Sequence, residues 1–218
     1  MILPGVRMRC AILVTGMPGS GKTLFSEAAA KLGLPVVSMG DAVRSEAIRR
    51  GLDINADTLA QLSLELREKR GPAAVSELTL AQVPIEPIVV IEGVRSLAEV
   101  EYFRRHFDRV YVVAIHSSPI TRYQRLSSRG RSDDPKHWED FAERDRRELS
   151  FGIGEVIALA DFMLVNEEIS KERFIEACIS VLVNILRKCH RMDDLSSSTP
   201  DSSTRREKTE GAGYAQTT

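Results

Sequence analysis

Between Gly16 and Thr23 the chain reads Gly-Met-Pro-Gly-Ser-Gly-Lys-Thr, a complete G-x-x-x-x-G-K-[ST] pattern. Each residue type in it has a physical task. Gly16, Gly19 and Gly21 let the backbone turn tightly, so that the amides of a loop through Met17, Pro18 and Ser20 point inward. A helix starting at Lys22 adds its positive end. The Lys22 ammonium can reach β- and γ-phosphates, and the Thr23 hydroxyl can ligate Mg²⁺. An apolar, β-branched run, CAILVT (Cys10 to Thr15), comes immediately before, as a buried strand would. The ligand this implies is a nucleoside triphosphate, ATP, with Mg²⁺.

Further residues suited to phosphate chemistry recur downstream. Arg44 lies in VVSMGDAVRSEAIRRG, Arg95 in VIEGVRSLAEVEYF, and Arg129 and Arg131 in RLSSRGRSDD. Arginine forks bind phosphate oxygens bidentately and never lose their charge. Phosphoryl transfer rests on positioning and on neutralising spread negative charge, so arginines at three separate sites fit it better than simple ATP hydrolysis. Asp41 leaves three roles open: a base for an acceptor hydroxyl, a group ordering Mg²⁺, or an N-cap for the helix beginning at Ala42.

These groups need a scaffold, and the periodicity supplies one. Strands are expected at Cys10–Thr15, Pro35–Met39, Pro87–Gly93, Arg109–His116 and Asp161–Asn166. Helical patterns separate them, including Leu97 to Phe107 and a long stretch from Trp138 to Ala160 interrupted near Gly152 and Gly154. Alternation of this kind predicts an α/β three-layer sandwich on a mainly parallel sheet, with ligands at the carboxyl ends of the strands. Residues 1–192 form one domain, with a helical acceptor-binding insertion at about 41–84 and a short lid at about 127–136. From Asp193 the chain is rich in Ser and Thr and poor in large apolar residues, the composition of a disordered tail. A formal net charge of -1 argues against nucleic-acid and membrane-surface partners. No apolar run reaches the ~18 residues of a membrane span, and the expected location is the cytoplasm. Cys10, Cys178 and Cys189 are too scattered for a zinc site or a disulfide framework and read as free thiols.

These segments resemble the nucleoside monophosphate kinases, adenylate and UMP/CMP kinases in particular, over about residues 10–147. SMGDAVR is similar to their S-x-G-D-x-x-R, EGVRSLAE to D-G-F-P-R-x-x-x-Q, and RGRSDD to the lid sequence G-R-S-D-D. GMPGSGK, VVSMGD, IEGVRS and AIHSSP resemble more narrowly an archaeal family of adenylate-kinase-like P-loop proteins with no assigned substrate. The resemblance implies a five-stranded sheet ordered 2-3-1-4-5, with Arg44 and Arg95 on the acceptor phosphate. It also implies Arg131, supported by Arg129, on the transferring group, and Arg144 as a further arginine after the lid. Glu92 replaces the family's aspartate and would hold Mg²⁺ through water. Glu99 replaces the glutamine that reads adenine; a carboxylate suits a donor-rich edge such as guanine's, or an acceptor that is no nucleobase. The implied activity is transfer of the ATP γ-phosphoryl group to a small phosphorylated acceptor. A kinase acting on a hydroxyl, as with dephospho-coenzyme A or a nucleoside, and an ATP-dependent regulatory or assembly ATPase stay open beside it. The sequence fixes no oligomeric state.

Overall fold

The computed structural model describes residues 8–130 and 134–190. Its elements run β1 (Met8–Thr15), α1 (Lys22–Lys31), β2 (Val36–Ser38), α2 (Met39–Arg49), α3 (Ala56–Arg70), α4 (Ala74–Leu80), β3 (Ile88–Glu92) and α5 (Leu97–Arg104). They continue with β4 (Phe107–His116), α6 (Pro119–Arg129), α7 (Trp138–Ser150), α8 (Ile153–Ala158), β5 (Phe162–Val165) and α9 (Lys171–His190). β1 occupies the centre and is buried on both faces, which is why it reads as an unbroken apolar run. Cys10, Ile12 and Val14 face the core under α1 and α9; Ala11 and Leu13 face the opposite core, which α2, α3, α4, α5 and α8 cover. The strands are ordered β2-β3-β1-β4-β5, and every pairing is parallel.

Register decides what meets at the carboxyl edge. Glu92 stands level with Val14 on one side and Ser38 on the other, while Thr15 stands level with Ala114. The loops after β1, β2 and β3 therefore open on one rim. Thr15 Oγ1 donates to Val94 O at 2.8 Å and Gly93 N to Val14 O at 2.9 Å, tying the loop that carries Arg95 to the end of β1.

Two local expectations change, and the interruption expected near Gly152 and Gly154 is located. α2 begins at Met39, and its cap is Ser38, whose hydroxyl accepts from Asp41 N at 3.3 Å; Asp41 is thus in the first turn and is not the N-cap. The helix from Leu97 stops at Arg104, because Phe107 is buried as the first residue of β4. The long stretch after residue 138 splits into α7 and α8 at Gly152, whose φ of 96° suits glycine and ends the helix. The cysteine reading is also corrected: Cys10 at the start of β1 and Cys189 near the end of α9 are joined by a disulfide across 179 residues of sequence. α9 packs along α1 and returns to the amino end of β1, a juxtaposition that spacing does not reveal. Cys178 does remain a thiol, pushed up to about 12 by burial. Among the described residues no helix is long and apolar enough to cross a membrane. The tail from residue 193 lies outside the described residues.

A buried ion pair ties α3 to α5. Glu99 is wholly buried; Oε1 accepts from Arg67 Nη2 at 2.8 Å and Oε2 from Arg95 N at 2.7 Å. Arg67 also lies over the Phe151 ring, 4.7 Å from its centroid. Removing one member leaves the other charge uncompensated, at a cost of about 3–5 kcal/mol. Arg67→Met should lower the free energy of urea unfolding by about 3 kcal/mol; a loss under about 1 kcal/mol would show that Glu99 finds compensation elsewhere.

Candidate active site

The glycine-rich loop has the form its sequence requires. Gly19 and Gly21 adopt φ of 82° and 110°. A Cβ on Gly21 would lie 2.3 Å from Asn166 Nδ2, so no side chain fits there without displacing a neighbour. The amides of Gly19, Gly21, Lys22 and Thr23 donate to no group among the described residues. They form a row of free donors at the start of α1, as an anion cradle needs.

The outward carbonyls of the same loop are held by side chains that motif reading missed. Asn166, just past β5, donates from Nδ2 to Ser20 O at 2.9 Å, and Ser117 Oγ donates to the same oxygen at 3.2 Å. Arg122 Nη1 donates to Pro18 O at 3.2 Å, and its fork grips Asp145 on α7 at 2.8 and 2.5 Å. Arg122 is 4 % exposed and lies over the Phe141 ring. Arg125 donates to Ser117 Oγ at 2.9 Å and Asn166 O at 3.0 Å. For Ser117 and Asn166 the sequence signal was their place just past β4 and β5; Arg122 and Arg125 on α6 carried none.

Lys22 Nζ donates to Gly16 O at 2.6 Å and Met17 O at 3.2 Å. Burial pushes its pKa down to about 8, although Glu92 and Glu148 favour the charged form. The Thr23 side chain opens on the cavity, and Glu92 at the end of β3 lines the same space. Ser26 Oγ donates to Glu92 Oε2 at 2.6 Å. One hydroxyl and one carboxylate beside a phosphate cradle fit Mg²⁺, which takes few protein ligands and keeps several waters. Among the described residues no cluster of three metal-binding side chains competes with them.

Three hollows adjoin here through shared walls. One, of about 500 Å³, is lined by Gly19, Gly21, Lys22, Thr23, Glu92, Arg44, Arg95, Arg129 and Arg144. A second, of about 670 Å³, adds Ser38, Gly40, Asp41 and Asn55. A third, of about 140 Å³, lies between α2, α3 and α7 and meets the first at Arg44, Arg95 and Arg144. Lys22, Thr23, Arg44, Arg95, Arg129 and Arg144 are thus brought together, with Asp41 and Glu92 on the same rim. Arg44 pairs with Asp41 at 2.6 Å, Arg95 with Glu148 at 2.7 Å and Arg129 with Asp134 at 2.5 Å. Arg131 lies outside the described residues. Glu99 is not on the cavity: both its oxygens are occupied inside the domain, so it positions the Arg95 segment and reads no ligand, a correction to the sequence expectation. Arg147 and Glu148 of α7 are cavity residues that the motifs did not single out.

Residues 12–149 match the AAA domain family. A UPF0200 protein of Pyrococcus furiosus is 57% identical over 162 residues, which cover 72% of this chain and 87% of the relative. One from Thermococcus gammatolerans is 46% identical over 186 residues, 83% of this chain and 97% of the relative. Among solved structures, shikimate kinase from Bacteroides thetaiotaomicron superposes with a TM-score of 0.54 at 20% identity, covering 82% of this chain and 98% of that one. A gluconokinase from Sinorhizobium meliloti gives 0.52 at 15% identity, covering 85% and 98%. At such identities the likeness is one of fold, that of a P-loop kinase.

The lowered Lys22 pKa gives a measurable linkage. Nucleotide phosphates favour the ammonium, so binding above the free-state pKa takes up a proton, and affinity falls as pH rises beyond about 8. Calorimetric titration of ATP in buffers of different ionisation enthalpy should give about 0.9 proton taken up at pH 9 and about 0.2 at pH 7.5. Equal uptake at both pH values would contradict this.

Proposed function

The chain belongs to the AAA domain family and to the UPF0200 proteins, and from that premise we propose that it is an ATP-dependent phosphotransferase acting on a small phosphate-bearing acceptor, in the manner of a nucleoside monophosphate kinase. The observation that carries this reading is the joining of cavities at Arg44 and Arg95: one wall is the phosphate cradle, the other a recess with space for a second molecule. In it, the loop amides and Lys22 bind the β- and γ-phosphates of ATP. Thr23 Oγ1 and Glu92 would hold Mg²⁺, which would neutralise phosphate charge. Arg44 and Arg95 bind the acceptor phosphate, whose ionised oxygen attacks the γ-phosphorus without needing a base. Arg129, with Arg131 and Arg144, neutralises the charge spread over the transferring group. The pairs Arg44–Asp41 and Arg95–Glu148 keep the guanidinium groups in place before the anion arrives.

A second reading has one observation in its favour. Asp41 lines the 670 Å³ hollow beside Ser38, Gly40 and Asn55, on the rim where an acceptor hydroxyl could surrender its proton. The two readings separate in one experiment. ADP formation from Mg-ATP is measured against nucleoside monophosphates and dephospho-coenzyme A, with Lys22→Ala as control. A phosphate acceptor should raise turnover well above background, and Arg44→Ala or Arg95→Ala should raise its KM about 30-fold with the KM for ATP little changed. Asp41→Asn, which loosens Arg44, should hurt that reaction less than Arg44→Ala does; if it abolishes transfer to dephospho-coenzyme A, the hydroxyl reading holds instead. Slow, Lys22-dependent hydrolysis indifferent to every acceptor would overturn both and favour an ATP-driven switch.

A further inference from the structure

The 140 Å³ hollow has a chemistry of its own. Val43, Leu59 and Ala60 from α2 and α3 and Phe151 after α7 supply its apolar surface, beside a polar surface of arginines, Ser63 and Glu148. Its volume is close to that of the ~150 Å³ protein cavity that takes up a single benzene ring. Its charged groups are of opposite hydrogen-bonding character: one carboxylate, Glu148, among four arginines, Arg44, Arg95, Arg144 and Arg147. Glu148 is only 6 % exposed; Oε2 pairs with Arg95 Nε at 2.7 Å, and Oε1 makes no such pair among the described residues. The Arg147 side chain, half-buried beside it, makes no hydrogen bond or ion pair among the described residues. A carboxylate can only accept hydrogen bonds and a guanidinium can only donate them.

Building on the phosphoryl-acceptor reading above, we propose that Glu148 is the specificity-determining residue of the acceptor pocket, and that it selects a monophosphate whose single six-membered ring bears an exocyclic amino group, as cytosine does. The amino group donates to Glu148, while the neighbouring ring nitrogen and carbonyl oxygen accept from arginine. Carboxylates accept from the cytosine amino group in nucleic-acid recognition for the same reason. Uracil fits less well: its single N–H lies between two carbonyl oxygens, whose lone pairs would face the carboxylate. The role expected of Glu99 thus falls to a carboxylate that faces the pocket.

The test is direct binding to the full chain saturated with magnesium and a non-hydrolysable ATP analogue, titrated calorimetrically with cytidine 5′-monophosphate, uridine 5′-monophosphate and ribose 5-phosphate. The cytidine compound should bind at least tenfold more tightly than either of the others. Glu148→Gln should reduce its advantage over the uridine compound to threefold or less, because an amide both donates and accepts, whereas any loosening of Arg95 weakens both compounds alike and leaves their ratio unmoved. Ala60→Phe, which fills the hollow from a half-buried position, should bring all three affinities together. Equal affinity for the cytidine compound and ribose 5-phosphate in the wild type, or full selectivity kept in Glu148→Gln, would overturn the inference and leave the phosphate-acceptor reading standing. Failure of all three to bind would overturn both.

Discussion

The structure depends on one constraint: the carbonyl groups of the glycine-rich loop are held outward so that its amides stay free. Asn166 and Ser117 hold the Ser20 carbonyl and Arg122 holds that of Pro18. Without these donors the buried carbonyls would go unsatisfied or turn inward on the amides, and the anion site would close on itself. The requirement explains why polar residues occur at the ends of β4 and β5, in otherwise apolar surroundings. It also explains the place of α7: Asp145 holds the Arg122 fork, so the helix that supplies Arg144, Arg147 and Glu148 is anchored to the loop it faces.

The side of the cavity proposed for the acceptor is organised by the same economy of buried charge. Glu99 and Arg67 fix the backbone at Arg95, and Glu148 fixes its guanidinium. Buried pairs of this kind add little net stability, but they hold charged groups in one arrangement in surroundings of low dielectric. For phosphoryl transfer that arrangement matters more than stability, because the chemistry asks for position and charge and for little else.

Much of this was legible in the residues. The loop motif and the buried run before it located the nucleotide cradle, and alternating strand and helix patterns gave the layered fold. Arg44, Arg95 and Arg129 stood in segments following strands, and they converge as those positions imply. What escaped reading depended on contacts between distant segments. Glu99 looks the same in sequence whether it faces a ligand or Arg67, and only packing α3 against α5 decides the matter. Asn166 pairs with a loop 146 residues away. Cys10 and Cys189 meet because α9 returns along α1. Ser38 and Asp41 are both good capping residues three positions apart, and the end of β2 selects the first.

Phosphorus nuclear magnetic resonance on the purified chain tests the central claim most directly. The protein is incubated with Mg-ATP and an equimolar mixture of the four ribonucleoside monophosphates, and the fate of the γ-phosphorus is followed. The account predicts that it reappears in a new nucleoside diphosphate, as one of a pair of spin-coupled resonances, and that one monophosphate is consumed in step with ATP. Conversion of the γ-phosphorus to orthophosphate alone, with all four monophosphates untouched, would contradict it.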